Sequence, residues 1–539
     1  MFARGSKTNY IDYLLLILIF VGGVNAFEVV FHGNNLESDT ASSAMLWQGV
    51  HQYGWGFLRT WRFTTDGWQF SLLPFHFSLL YIFGAKPTVI IAFGWVIFIA
   101  CVITTYYLTL RVSGNRRLAL IVALLLSWAN PGALLTAQGS LGYPIAHNIS
   151  ILYCSVSLIC LVHYIQSRNS LLFVFADMFM ILSCISDPWA DVAFLLPVVA
   201  GSLLLLFCKG GRQYLGLLIN NILVAAFIVA YFRTSGFGLF DYLAAPITHV
   251  SSDVLKRNFD FLCSGIAGYF NVNISGGVNN TLLYIGPDVF AMVFALCTFS
   301  ALSLTLKRFR VLPLAEFFCL MVFLLSAIGS IAAYLLLFVS VAPWSARYFD
   351  TAFVFAPAYV LLSFRRSAFL SLPVFKAAGI LFAMLFVVSG AQASRHFWSS
   401  KGLSVEPALS IARFLQSNNL TYGYGDYWGA EANAVSWITK GDVLVRPVRF
   451  NGVSGRVMKS PVGQVSSLWY QSVDQRDKSR TFIVFTNHAD DTCQPLEKCI
   501  DAAKQQIGVP DQILMFNAYG DDYYVLVWNR PILDRLDNF

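Results

Sequence analysis

Residues 70–84 read FSLLPFHFSLLYIFG. Taken as a membrane span, this run would send the next basic link, residues 111–117 (RVSGNRR), to the outside and invert every later basic link. Taken as a short helix lying along the outer surface, it leaves all the basic links on one side. The run is shorter than the ~20 apolar residues that cross a hydrocarbon core. Pro74 and His76 also sit within it, and both suit a surface helix better than a span. The surface reading sets the frame for the rest of the chain.

In that frame five links carry Lys and Arg without acid: residues 111–117, 166–168 (QSR), 209–212 (KGGR), 307–310 (KRFR) and 365–366 (RR). The alternate links, 37–66, 138–148 (QGSLGYPIAHN), 187–191 (DPWAD), 234–281 and 342–350, hold acids, aromatics and glycine. Lys and Arg stay cytoplasmic, so the first set is inside and the second outside. Eleven apolar spans follow, at residues 11–31, 88–110, 117–135, 147–165, 170–186, 190–208, 214–232, 283–305, 314–340, 350–363 and 373–391. The odd count places the C-terminus outside. Arg4 and Lys7 precede the first run, and Val24-Asn25-Ala26 resembles a cleavage site. The run is nevertheless long enough to span, and a retained first helix is expected.

A mean hydropathy of +0.62 with only 12 % charged residues excludes an ordinary soluble enzyme. The net charge of +7 sits in the cytoplasmic links, so nucleic acid is not an expected partner; the lipid bilayer is. Aromatic residues make up 16 % of the chain, which suits interfacial belts and stacking surfaces for rings or lipid chains. Outer segment 32–87 holds Glu37, Asp39, His51, Arg59, Arg62 and Asp66 among Trp and Tyr residues, and outer segment 233–282 is similar. From about Ala393 the composition turns mixed. Residues 404–417 and 495–506 read as helices, and 443–448, 481–485 and 523–528 as strands. The expected organisation is a transmembrane domain over 1–392, including both outer segments, and a soluble α/β domain over 393–539. The fold class is an α-helical polytopic membrane protein with a small C-terminal extracytoplasmic α/β domain.

Glu37-Ser38-Asp39 follows the first span on the outside. A carboxylate there can act as a general base or hold a divalent cation. Alternatively, Ser38 or Asp39 caps a helix beginning at Thr40. Asp187-Pro188-Trp189-Ala190-Asp191 is an acid cluster at an outer hairpin and reads either as a simple turn or as a functional site. The loop 138–148 has no acid, and its polar candidates are Gln138, Tyr143, His147 and Asn148. Arg347, between Pro343-Trp344 and Tyr348, has the guanidinium fork that matches phosphate oxygens. An interfacial arginine with its head in water is the alternative. Lys256 and Arg257 are secondary phosphate candidates or a solvated face. The histidines lack metal-ligand spacing, and there is no P-loop, no GxGxxG before a helix and no GxSxG.

Taken in order, these elements resemble the GT-C superfamily of integral-membrane glycosyltransferases, which includes protein mannosyltransferases and aminoarabinose transferases. The matching elements are the acidic Glu37-Ser38-Asp39 after the first helix, the Pro74-to-Gly84 stretch and the basic turn at 106–117. Trp128-Ala129-Asn130-Pro131, Ser345-Ala346-Arg347-Tyr348 and YGYGDYWGAE at 422–431 complete the series. The resemblance implies an inverting glycosyltransferase. It would move a sugar from a polyprenyl-phosphate-linked donor to a glycan, lipid or protein acceptor. It implies Asp39 as the general base, with Glu37 as its neighbour or replacement. Arg347, then Lys256 and Arg257, would hold donor phosphate, and Asp187, Trp189, His147 and Tyr348 would contact substrate. Metal-dependent relatives carry a second acidic motif in the next outer loop, which this chain lacks. A metal-independent mechanism without cofactor is therefore expected, with a divalent metal as the alternative. The setting would be a bacterial inner membrane, with site and C-terminal domain facing the periplasm. A glycolipid transporter or flippase and an envelope scaffold are the competing classes.

Of ten cysteines, Cys493 and Cys499 alone lie in the polar C-terminal region, close enough to close a short disulfide loop outside. Protein isolated without reductant under alkylating conditions should lack free thiols at both positions. Two alkylated cysteines there would refute the bridge.

Overall fold

In a computed structural model the described residues are 10–34, 36–64, 66–129, 142–145, 147–208, 214–234, 236–238, 241–242, 250–269, 287–308, 310–337, 348–365, 373–398, 405–460, 463–471, 480–487, 495–518 and 520–538. The chain forms two compact units. One comprises residues 1–34, 91–232 and 246–402; the other comprises 35–90, 233–245 and 403–539.

The first unit is helical. Helices occupy each of the eleven intervals expected to span, from Tyr10–Gly33 to Pro373–Trp398. Among the described residues six of them are long and apolar enough to cross a membrane: Tyr10–Gly33, Pro87–Ser113, Asn148–Ser167, Asp191–Cys208, Leu215–Arg233 and Leu314–Leu336. Their outward faces are oily rather than polar: Leu14, Ile17 and Phe20 are 56, 59 and 71 % exposed. Apolar bands of this kind fit a lipid solvent. Inside, small residues let helix backbones approach, as expected where lipid removes the usual hydrophobic drive. A Cβ on Gly329 would meet the Val192 carbonyl oxygen at 2.9 Å. Helices Asn148–Ser167 and Ser170–Ser186 form a hairpin stitched by hydroxyls. Ser157 Oγ donates to the Ala176 carbonyl at 2.8 Å and Ser183 Oγ to that of Ser150 at 3.1 Å. Asp177, within the fifth expected span, accepts from Asn220 Nδ2 at 2.9 Å. Two of the basic links are tied to acids on neighbouring helices: Arg117 to Asp12 at 3.2 Å and Arg365 to Glu316.

The second unit is α/β. Its main sheet has six strands in the order Val457–Lys459, Leu444–Phe450, Tyr422–Asp426, Thr481–Thr486, Asp521–Trp528, Gln512–Ala518. Tyr422–Asp426 is central and parallel to both neighbours, and the other pairings are antiparallel. The inner strands of the sheet are buried on both faces. Val443, Val445, Phe482 and Val484 pack with Ile411 and Leu415 of helix Glu406–Ser417, while Leu444, Ile483 and Phe485 pack with Ile500 and Ala503 of helix Leu496–Ile507. The YGYGD strand shows why its glycines are there. Tyr422 and Tyr424 fill one face, and a Cβ on Gly425 would meet Ala430 Cβ at 2.6 Å on the other. A three-stranded sheet adds Trp61–Phe63 between Asp241–Tyr242 and Val465–Ser466. Thus strands from both outer segments pair within this unit.

The 70–84 run becomes helix Leu73–Phe83. Its eleven residues rise about 17 Å, well under the ~30 Å hydrocarbon thickness. It packs on helix Ser38–Tyr53 through Trp47 against Phe77 (centroids 5.3 Å) and a His76 Nδ1 to Ser43 Oγ bond of 2.8 Å. Burial holds His76 neutral by pushing its pKa down to about 3. The other face shows Tyr81, Ile82 and Phe83 to the surroundings, an apolar face of the kind that sits in a membrane interface.

The orientation can be read chemically. In sealed right-side-out vesicles an impermeant maleimide should label Ser454→Cys, an exposed turn residue of the second unit. Ser170→Cys, exposed beside the 166–168 link, should stay unlabelled until the membrane is permeabilised. The unsubstituted chain supplies the background, and the opposite pattern would invert the frame.

Candidate functional site

The Glu37-Ser38-Asp39 segment opens helix Ser38–Tyr53 in the second unit. Glu37 stands at the N-cap position with extended backbone, and its side chain makes no cap hydrogen bond to the helix. The capping alternative for Ser38 or Asp39 is therefore not what these side chains do. The Asp39 carboxylate is half-buried and accepts from two side-chain donors, Tyr427 Oη at 3.0 Å and Trp428 Nε1 at 3.3 Å. Ser38 donates its backbone N–H to Glu431 Oε2 at 2.8 Å, and its Oγ accepts from the Asn433 N–H at 3.2 Å. One turn, 427–433, grips the start of one helix.

That turn sits where the second unit's sheet invites a ligand. It leaves the carboxyl end of Tyr422–Asp426, the strand at which the parallel order reverses, with Leu444–Phe450 on one side and Thr481–Thr486 on the other. Open α/β sheets bind ligands at such reversals. Asp426 shapes the turn by accepting from the Trp428 and Gly429 N–H groups at 3.1 and 3.0 Å. Glu431 adopts a left-handed backbone, φ +48°, of the strained kind that a packed surrounding must hold. Burial, and then the nearby Glu37 carboxylate, raise the Glu431 pKa well above the ordinary range. Burial, with Asp39 facing it, likewise raises Tyr427, keeping its hydroxyl a donor. The sequence reading quotes the 422–431 stretch only as an element of resemblance. It assigns no role to Tyr427, Trp428 or Glu431, and the cue available was an acid-aromatic turn closing a glycine-spaced strand.

The first unit gathers the four other substrate candidates. His147, at the head of helix Asn148–Ser167, places Nδ1 2.7 Å from Asp187 Oδ2, with both side chains buried. Asp187 Oδ1 accepts from the Trp189 N–H at 3.0 Å. Trp189 Nε1 donates to the Tyr348 carbonyl at 2.6 Å. The Tyr348 ring lies 5.0 Å from the His147 ring and 4.9 Å from that of Trp189. Asp187 forms the turn and also holds His147. It is only 1 % exposed with both oxygens engaged, so it positions neighbours rather than offering a free carboxylate. The half-buried Trp189 and Tyr348 supply aromatic surface.

Lys256 and Arg257 are exposed on helix Ser252–Tyr269, the solvated-face arrangement. Arg347 and Cys493 lie outside the described residues; Cys499 is disulfide-bonded. Among the described residues no group of three or more His, Cys, Asp or Glu side chains is arranged to hold a metal.

No family model and no curated protein matches the chain. Among solved structures it is similar to ArnT from Cupriavidus metallidurans, a crystal structure bound to undecaprenyl phosphate. The TM-score is 0.50, with 10 % identity over 96 % of this chain and 98 % of that one. At that identity the likeness speaks to the fold. The chain shares that fold, apolar helices with a C-terminal sheet, and its apolar helices mark it as an integral membrane protein.

Proposed function

We propose that the protein is a membrane glycosyltransferase that moves a sugar from a polyprenyl-phosphate-linked donor to a glycan, lipid or protein hydroxyl, with inversion, on the extracytoplasmic side of a bacterial inner membrane. The observation that carries this reading is the Asp39 carboxylate, held by Tyr427 and Trp428 and not spent on its own helix. The end-to-end likeness in fold to ArnT, crystallised with undecaprenyl phosphate, supports the class of donor. In the proposed step the acceptor oxygen attacks the anomeric carbon and the carbon–oxygen bond to phosphate breaks. The electron pair leaves with the lipid phosphate, and Asp39 takes the acceptor proton. A single displacement needs one base and no sugar-enzyme intermediate, hence inversion. Arg347 is assigned to the departing phosphate for the bidentate fit of guanidinium to phosphate oxygens. Trp189 and Tyr348 are assigned to sugar stacking, with His147 and Asp187 fixing them. Glu37 adds negative charge beside the base. Glu431, whose pKa is raised by desolvation and by Glu37, accepts the Ser38 N–H.

Transfer from a radiolabelled polyprenyl-phosphate sugar tests the assignment. Asp39→Asn keeps the size and one acceptor oxygen but removes the base. Turnover should fall on the order of a hundredfold or more, with melting temperature and donor affinity near those of the parent. Full activity in Asp39→Asn together with loss in Glu37→Gln would move the base to Glu37; full activity in both would end the catalytic reading of this segment.

Glu431 gives a separate check on the cluster. Its folded-state pKa lies above the ordinary 4.5, so above that value the unfolded chain sheds a proton that the folded chain keeps. Stability therefore falls as pH rises through this window and levels off above the folded-state value. The drop in melting temperature between about pH 5 and about pH 8 should be smaller in Glu431→Gln than in the parent. Equal drops would place Glu431 in a more solvated setting.

A further inference from the structure

Helix Ser38–Tyr53 carries a second polar feature. Gln48 follows Asp39 by nine positions, about 14 Å along the axis. There the helix lines a cavity of about 360 Å³ with Gln48, Gln52 and Tyr53; Lys440, Arg446 and Trp469 line it from the same unit. This is a usual size for a small-ligand pocket. It lies at the amino end of strand Leu444–Phe450, whereas the Asp39 turn leaves the carboxyl end of Tyr422–Asp426.

Arg446 is the informative residue. It is 7 % exposed. Its guanidinium lies 4.4 Å from the Trp469 ring centroid and 6.0 Å from that of Tyr422, while its buried Nε has no hydrogen-bond partner among the described residues. Among the described residues no acidic side chain lines the cavity. A buried cation without a counter-charge is costly, and the two rings offset only part of that cost. Such a site is complete with an anion on the guanidinium fork.

Lys440 adds a second, independent signal. Helix Ala432–Ile438 ends in paired backbone bonds, Gly441 N–H to the Ser436 carbonyl and Lys440 N–H to that of Trp437. In this motif the left-handed position normally belongs to glycine. Lys440 occupies it at φ +53°, a strained position for a residue with a side chain, and this exposed residue lines the cavity. Beside these cations, the Gln48 and Gln52 amides and the Tyr53 and Trp469 rings form a donor-acceptor and aromatic set that suits sugar hydroxyls and ring faces.

We propose that this cavity binds a saccharide carrying a carboxylate or phosphate group, with the anion on Arg446 and Lys440 and the ring against Gln48, Gln52 and the aromatic walls. The site is separate from the Asp39 chemistry and does not require it.

Calorimetric titration of the full chain in detergent tests this with glucuronate, glucose 1-phosphate, glucose and inorganic phosphate. Both anionic sugars should bind, and more weakly as salt rises. Glucose and inorganic phosphate should each bind about tenfold or more weakly than glucose 1-phosphate. Lys440→Gly relieves the strained position, so its melting temperature should equal or exceed the parent's while affinity for anionic sugars falls about tenfold. Asp39→Asn should bind them unchanged, which separates this site from the transfer reaction. Equal binding of glucose, or unchanged binding in Lys440→Gly, would overturn the proposal. Inorganic phosphate binding as tightly as glucose 1-phosphate would overturn the saccharide assignment and leave a bare anion site.

Discussion

Tyr427 Oη and Trp428 Nε1 both donate to the Asp39 carboxylate, and Glu431 on the same turn receives the Ser38 N–H. These bonds join residues 388 to 393 positions apart. Without them a carboxylate in the first turn of a helix would turn back to its own unsatisfied N–H groups. With them, the helix start is held from the sheet side, and the carboxylate is aimed by donors that the rest of the second unit fixes. The central strand, the glycines that let it pack and the turn it feeds all serve that placement.

Four carboxylates share this region, and their surroundings divide the work. Asp426 is buried and accepts backbone N–H groups of its own turn. Glu431 is half-buried, and desolvation and the facing Glu37 raise its pKa well above the ordinary range. Glu37 is 8 % exposed at the N-cap position. Asp39 is half-buried as well, and is held by side-chain donors from another segment. Environments that push neighbouring acids into different roles are a usual means of preparing one as a base.

The first unit contains a comparable arrangement of aromatic and hydrogen-bonded groups. Asp187 spends one oxygen on an Asp-Pro turn and the other on His147. Trp189 is tied to Tyr348, and Tyr348 stands over His147. A buried polar network with its partners satisfied fixes side chains within narrow limits. The rings at its edge are therefore offered in set orientations.

The sequence by itself determined the helical layout and much of the α/β unit. Apolar length and basic alternation pointed to a mostly helical membrane unit, and among the described residues six helices are long and apolar enough to cross a membrane. Local periodicity also found helices Glu406–Ser417 and Leu496–Ile507 and strands Leu444–Phe450 and Thr481–Thr486. It singled out Asp39, His147, Asp187, Trp189 and Tyr348 as candidates. What it left open was partnership. Whether Asp39 caps its helix depends on Tyr427 and Trp428, and whether Arg446 is an ordinary strand residue depends on Trp469 and helix Ser38–Tyr53. Only the tertiary structure decided these questions. Hydrogen bonds and ring contacts act over a few ångströms, and no local pattern records which distant segment arrives within that range.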